Sequence, residues 1–167
     1  MGHAMKAQDA LRATAATSKM VVTKYCEDLS DQELLTRPAA GCNHLAWQLG
    51  HLISSEHQLL ESVCPGAAPE LPDGFAERHS KEATASDDAS QFCGTAEYLE
   101  LLSRVQDATV AALDKLSDAD LDQPGPEHMR PMFSTVGDIF VLIATHPMMH
   151  AGQFVPVRRA LGKPIVI

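Results

Sequence analysis

Two histidines near the C-terminal end of the chain are spaced to bind one metal ion. His146 and His150 lie four residues apart in the segment THPMMHAGQ, residues 145–153. In a helix, residues four apart lie one above the other, so both imidazoles can reach the same ion. A divalent ion needs more ligands than these two, and we expect His51, in the segment LAWQLGHLI, to supply the third. The spacing therefore predicts a metal site formed by His51, His146 and His150.

The apolar pattern around the histidine pair indicates that both imidazoles point inward. His146 and His150 continue, at helical spacing, an apolar stripe that consists of Val136, Ile139, Ile143, Phe154 and Val157. Both side chains should therefore face the core or a cavity within it. A buried imidazole needs either a hydrogen bond or a metal. One structural histidine beside one partly exposed histidine would fit the same spacing, so both interpretations stay open at this point.

The predicted third ligand lies on a polar stripe of an earlier helical segment. The stripe consists of His44, Gln48, His51 and Ser55, beside an apolar stripe of Leu45, Leu49, Leu52, Leu59 and Val63. A polar stripe either faces solvent or lines a polar cavity at the mouth of a helical bundle, and periodicity does not distinguish the two. We interpret His57 as a surface residue and assign no function to the histidines of the tail and loops, His3, His79 and His128.

Four long helical segments must position these side chains. They cover residues 6–28, 43–64, 95–116 and 134–161, the second beginning at Asn43 as N-cap and the last at Ser134 or Thr135. Pro65 and Gly66 end the second segment, and Gly162 ends the fourth. Strand character is confined to residues 129–133, as an isolated extended piece. Four helices around one core is the simplest arrangement that buries all four apolar faces.

Two near-identical linkers each follow a long helix. In LSDQEL, residues 29–34, and LSDADL, residues 116–121, a serine is followed three residues later by an acid. This pattern predicts a capping box and a short helical turn at each place. The long segment 65–90, rich in proline, glycine and charge, is predicted to be either a crossover or a mobile flap.

Proline follows directly after one of the predicted ligands. Pro147 lacks the N–H that would bond the Ile143 carbonyl, so the helix should kink there or begin a new segment. The kink is either simply tolerated, or it opens room beside the metal site.

Composition limits the classes of function. The 167 residues suit one domain, 1–167, with 45% hydrophobic and 21% charged residues. No apolar run approaches the ~20 residues of a membrane span, and the N-terminus lacks a signal-peptide pattern, so we expect a cytoplasmic protein. The net charge of −9 argues against nucleic-acid binding, because the basic cluster at residues 158–163 is too small to oppose it. The scattered cysteines, Cys26, Cys42, Cys64 and Cys93, are interpreted as reduced core residues.

These motifs together resemble the DinB/YfiT-like superfamily. The resemblance rests on WQLGHL around His51, on the His146-x-x-x-His150-x-Gly-Gln arrangement and on the LSDxEL linker, and it covers most of the chain. It implies an all-α fold, a four-helix bundle with a long crossover loop, commonly assembled as a homodimer. It also implies that His51, His146 and His150 form a metal triad. Pro147, between the paired ligands, departs from the family pattern.

The resemblance further implies a cofactor and a class of reaction. The ion would be nickel, zinc or iron, all of which three neutral imidazoles with open positions can bind. Family members include thiol-dependent enzymes, among them bacillithiol S-transferases and mycothiol-dependent maleylpyruvate isomerase, and a similar domain helps to build the iron site of ergothioneine-forming sulfoxide synthases. The leading hypothesis is therefore a metal-dependent thiol S-transferase or hydrolase acting on a small molecule, with no membrane or nucleic-acid partner.

Several roles and two other functions stay open in the sequence. Glu56 and Asp138 lie on the metal-bearing helices as candidate bases, and Gln153 could orient a ligand. A non-catalytic metal-binding or stress-response module would close the site with a fourth protein ligand, for which His44 is the candidate. In a third interpretation the histidines merely pack in the bundle.

Overall fold

The computed structural model describes residues 4–165, so His3 lies outside the described residues. The helices are α1 Ala7–Cys26, α2 Leu45–Val63, α3 Phe75–Arg78, α4 Thr95–Leu113, α5 Asp118–Leu121 and α6 Val136–Ala160. The four long helices are the four predicted segments, each three residues shorter in total. Short 3-10 turns cover Glu33–Leu35, Lys81–Ala83 and Ala89–Gln91. The predicted all-α fold is confirmed, and residues 129–133 form turns rather than an extended piece.

The contacts between helices establish their directions. Ser18 donates a hydrogen bond to the Ala144 carbonyl at 2.5 Å, and Arg158 donates one to the Tyr25 carbonyl at 2.8 Å, so α1 and α6 are parallel. Lys19 pairs with Asp107, whereas Arg12, earlier in α1, pairs with Asp114, later in α4. Helices α1 and α4 are therefore antiparallel.

The directions explain the long connection in the middle of the chain. His150 contacts Gln48 near the start of α2, whereas Phe140, earlier in α6, shares a core cluster with Leu60, so α2 and α6 are antiparallel. It follows that α2 and α4 are parallel, although they are consecutive long helices. The chain must therefore return along the bundle between them, and the segment 64–94 is the predicted crossover. It is packed onto the bundle, since Phe75 and His79 are each 1% exposed.

Hydrogen bonds between residues three apart cap the helices close to the residues at which they were predicted to begin. At the start of α6, Thr135 and Asp138 form a reciprocal capping box, which confirms the predicted start of this helix. Ser117 with Asp120 forms the capping box predicted for the second linker. In the first linker, the Ser30 N–H donates to Glu33 at 2.8 Å and the Glu33 N–H to Ser30 at 3.3 Å.

Two predictions about the helices need correction. The N-cap of α2 is His44 rather than Asn43, because Nδ1 of His44 accepts the Trp47 N–H at 3.0 Å. Of the two outcomes predicted at Pro147, the new segment is wrong, because α6 continues through this residue as one helix. The four-residue helical spacing of His146 and His150 is therefore kept.

The four cysteines are free. Cys26 is buried in the main apolar cluster, and the half-buried Cys64 and Cys93 pack against the apolar clusters. Cys42 is half-buried in a loop outside both clusters, so the prediction of a core residue is wrong there. Within residues 4–165, no helix has the length and apolar character needed to cross a membrane.

Candidate metal centre

The fold brings the three predicted ligands together, although they lie about a hundred residues apart in the chain. His51 comes from α2, and His146 and His150 from two successive turns of α6. One nitrogen atom of each imidazole lies within 4.8 Å of a nitrogen of the other two. The ring centroids of His51 lie 5.3 Å from those of both His146 and His150, and the latter two are 4.9 Å apart. Within the described part of the chain, no other group of three His, Cys, Asp or Glu residues converges in this way.

The chemistry of the three side chains fits a divalent ion. Bonds of ~2.1 Å to a shared ion require ligand nitrogens roughly 3 Å apart, which small ring rotations can achieve from the present separation. Burial lowers the pKa of all three imidazoles, to about 4 for His51 and His150. The neighbouring imidazoles lower it further for those two residues, since protonating one ring disfavours protonating the next. At neutral pH the three rings are therefore neutral and available as metal ligands.

A buried amide determines which nitrogen His150 presents. Nδ1–H of His150 donates a hydrogen bond to Oε1 of Gln48 at 3.0 Å, which leaves the Nε2 lone pair for an ion. The Gln48 side chain is itself held, because its amide N–H donates to the Asn43 carbonyl at 2.8 Å. Gln153, the amide predicted for this role, is exposed to solvent. Three residues beyond His150, it has rotated to the outer face of α6.

The ring of His51 is held by two neighbours on its own helix. It stacks on Trp47 with centroids 4.9 Å apart and planes 7° apart. The indole N–H of Trp47 donates to the Ser80 carbonyl at 3.0 Å, which ties the crossover to the site. On the other side, the Ser55 hydroxyl lies 3.5 Å from Nδ1 of His51. Two residues of the polar stripe of α2, His51 and Ser55, therefore line a cavity, whereas His44 and Gln48 are buried.

The glycine before His51 has a structural reason. A methyl group on Gly50 would lie 2.0 Å from Cδ2 of His79, so only glycine lets the crossover pack this closely. His79 donates from Nδ1 to the Phe75 carbonyl and accepts the Tyr98 hydroxyl at Nε2, both at 2.7 Å. The sequence left His79 without a role because its contacts with Gly50 and Tyr98 come from distant segments.

The candidate fourth ligand, His44, and the two candidate bases, Glu56 and Asp138, form hydrogen bonds with groups outside the triad. Both ring nitrogens of His44 are bonded, Nδ1 to the Trp47 N–H and Nε2 to the Ser86 carbonyl, so His44 cannot close the site. Glu56 accepts a hydrogen bond from Thr109, between α2 and α4. Asp138 caps the start of α6. Neither carboxyl lines the cleft beside the triad.

His51 and His146 of the triad line an open cleft of about 790 Å³. Part of its wall is formed by the 128–133 segment between α5 and α6, which the sequence did not associate with the site. The lining residues are His51, Ser55, Gln58, Leu59, Ser62, Lys81, His128, Met129, Met132, Phe133, Leu142, His146 and Met149. Most of this surface is apolar, and two of its methionines are strongly exposed, Met132 by 79% and Met149 by 68%.

Comparison with known protein families identifies the family of the chain. The model of the DinB superfamily matches residues 14–154, a span that includes all of α2 and α4, most of α1 and α6, and the three histidines. The chain belongs to the DinB superfamily. No curated protein matches it in sequence.

Two solved structures resemble the chain along nearly its full length. A conserved protein from Enterococcus faecalis superposes with a TM-score of 0.73 at 19% identity, covering 96% of this chain and all of that one. YfiT from Bacillus subtilis, described as a probable metal-dependent hydrolase with an unusual four-helix bundle topology, superposes with a TM-score of 0.65 at 17% identity. That match covers 98% of this chain and 94% of YfiT. At these identities the likeness establishes the fold.

Proposed function

We propose that the chain is a divalent-metal-dependent enzyme that acts on a small molecule, and that His51, His146 and His150 hold the ion. The observation that carries the proposal is the open side of the triad. Three imidazoles converge from α2 and α6, while the fourth candidate, His44, is fully hydrogen-bonded. Structural zinc sites are closed by four protein ligands, whereas catalytic sites keep a position for substrate. A cleft beside three protein ligands therefore favours the enzyme over a non-catalytic module.

We propose thiol transfer as the reaction, with zinc or nickel as the ion and iron(II) as the alternative. When bound, such an ion supplies a Lewis acid that lowers the pKa of a coordinated thiol or water. In a transfer, the sulfur of a small thiol would form a bond to an electrophilic carbon of the second substrate, whose leaving group departs as the thiol proton is released. Gln48 holds His150 in the tautomer that binds a metal, and Trp47 fixes the plane of His51.

Hydrolysis is the second candidate, because YfiT, which shares the fold, is described as a probable metal-dependent hydrolase. The same three histidines would then serve a water nucleophile in place of a thiol. The two reactions differ in whether product formation depends on an added thiol.

The first test measures metal binding. Chelator-treated protein is titrated by calorimetry with zinc, nickel and, without oxygen, iron(II), and cobalt(II) is followed by its visible spectrum. We expect one ion per chain and the loss of that binding in His146→Ala. His57→Ala is the matched control, since His57 is half-buried on α2 and lines a different groove. Full binding in His146→Ala, or none in the native protein, would refute the proposed site.

The second test measures activity. The metal-loaded protein is incubated with several cellular thiols and a panel of electrophiles, and parallel samples contain no thiol. Thiol-dependent product that disappears in His146→Ala supports the transferase, and thiol-independent product that disappears supports the hydrolase. Stoichiometric metal without turnover of any kind, across all metals and substrates, would favour a non-catalytic module.

A further inference from the structure

The cleft beside the triad has a charge opposite to that of the protein as a whole. The chain carries 22 Asp and Glu residues against 13 Lys and Arg, yet none of the described residues lining the cleft is acidic. Lys81 is the one lysine or arginine among them. A bound divalent ion would add to this positive charge. The local field therefore favours an anion, in a protein whose remaining surface repels one.

Lys81 is an exposed side chain that lines the same cleft as His51 and His146. Lys81 follows Ser80, whose carbonyl accepts the indole N–H of Trp47, and Trp47 stacks on His51. Lys19, Lys24 and Lys163 each pair with a carboxylate, whereas Lys81 forms no ion pair with any described residue.

The methionine-lined wall of the cleft is suited to an apolar group. Met129, Met132 and Phe133 from the 128–133 segment line it together with Leu142 and Met149 of α6. The strong exposure of Met132 and Met149 leaves apolar surface that a ligand could cover. Methionine side chains adapt to ligands of different shape, because they are unbranched and polarizable. A ligand in this cleft can therefore meet apolar surface and a cation at once.

We propose that the substrate of this cleft is an apolar molecule that carries a carboxylate, with Lys81 binding the carboxylate and the methionine-lined wall binding the apolar body. This inference deepens the proposed function and rests on it, because it names the substrate that lies next to the metal triad. Lys81 is a specificity-determining residue in this assignment. It selects the substrate by charge and takes no part in holding the ion.

The test uses two probes that differ only at one end. 4-Phenylbutyrate and the neutral 4-phenylbutan-1-ol are titrated by calorimetry into metal-free protein, where a carboxylate has no ion to bind. We expect the native protein to prefer the carboxylate. An exposed ion pair contributes up to about fivefold in affinity, so Lys81→Gln should weaken 4-phenylbutyrate binding about three- to fivefold. Binding of the alcohol should stay unchanged, which shows that the cleft is intact, and Lys81→Arg should restore the preference.

The control is Lys115→Gln, which removes an exposed lysine outside the cleft and should leave both affinities unchanged. Equal affinity of the native protein for the two probes would overturn the inference, as would equal losses in Lys81→Gln and Lys115→Gln. Because these titrations contain no metal, they are separate from the test of the triad. Failure of metal binding with the charge preference intact would refute the proposed function alone.

Discussion

A buried carboxyl group between α2 and α4 should make the stability of the protein depend on pH. Glu56 is 5% exposed and accepts a hydrogen bond from the Thr109 hydroxyl at 2.7 Å. Burial raises the pKa of Glu56 from its ordinary value of 4.5 to about 7. At 1.36 kcal/mol for each pKa unit, this corresponds to about 3 kcal/mol in the free energy of unfolding.

The sign follows from which state holds the proton. Below about pH 4.5 the carboxyl is protonated in both states, and its burial carries no ionisation cost. As the pH rises to about 7, the unfolded chain loses the proton first, so the free energy of unfolding falls. Above that range the full cost of the buried charge is present. Buried histidines have the opposite effect, because their lowered pKa values make the folded state more stable as the pH rises through the same range.

The Glu56→Gln substitution separates the contribution of Glu56 to the pH dependence of stability from that of the buried histidines. The amide oxygen of glutamine can still accept the Thr109 hydroxyl, but the side chain does not ionise. The variant should therefore be more stable than the native protein at pH 8, by up to about 3 kcal/mol, and should lose most of this advantage at pH 5. Urea denaturation followed by circular dichroism, on metal-free protein at pH 5, 6, 7 and 8, measures the difference at each pH.

Glu100→Gln is the matched control, since Glu100 is exposed on α4 and the chemical change is the same. Its stability should follow the native protein at every pH. If the difference between Glu56→Gln and the native protein were constant from pH 5 to pH 8, the raised pKa of Glu56 would be wrong.

Two further predictions concern the supports of the triad. Gln48→Leu should leave the bundle folded but weaken metal binding about 10- to 100-fold, because Nδ1 of His150 loses its acceptor. Calorimetry measures this loss, and the control Gln153→Leu, on the exposed face of α6, should have no effect. Gly50→Ala should lower the free energy of unfolding by about 1–3 kcal/mol, since the added methyl group meets the ring of His79. Urea denaturation measures the loss of stability, and adding His79→Ala to the same chain should recover part of it. Unchanged stability of Gly50→Ala would mean that the crossover does not depend on this close packing.

The helices and their ends were predictable because their causes are local. Thr135 with Asp138 and Ser117 with Asp120 form capping boxes between residues three apart, so short-range sequence is sufficient to find them. The prediction failed where a different short-range bond competed. His44 takes the N-cap position of α2 because its imidazole accepts the Trp47 N–H, a role that Asn43 was expected to fill.

The identity of the supporting residues was not predictable in the same way. Gln48 and Gln153 are both glutamines within one turn of a predicted ligand. Only the packing of α2 against α6 determines that Gln48 is buried against His150 while Gln153 faces solvent. Glu56 is a similar case, because its position on α2 is visible in the sequence but its contact with Thr109 depends on the place of α4.

The sequence by itself determined the four long helices, the crossover between the second and third of them, and the three histidines with the chemistry to share an ion. These follow from periodicity, capping and spacing, which act over a few residues, and from the resemblance that the motifs carry. The tertiary structure decided which helices are parallel, which polar groups lie behind the ligands, and that the 128–133 segment forms the wall of a cleft beside them. Such features depend on contacts between residues far apart in the chain, and a side chain's neighbours across a helix interface leave no local pattern.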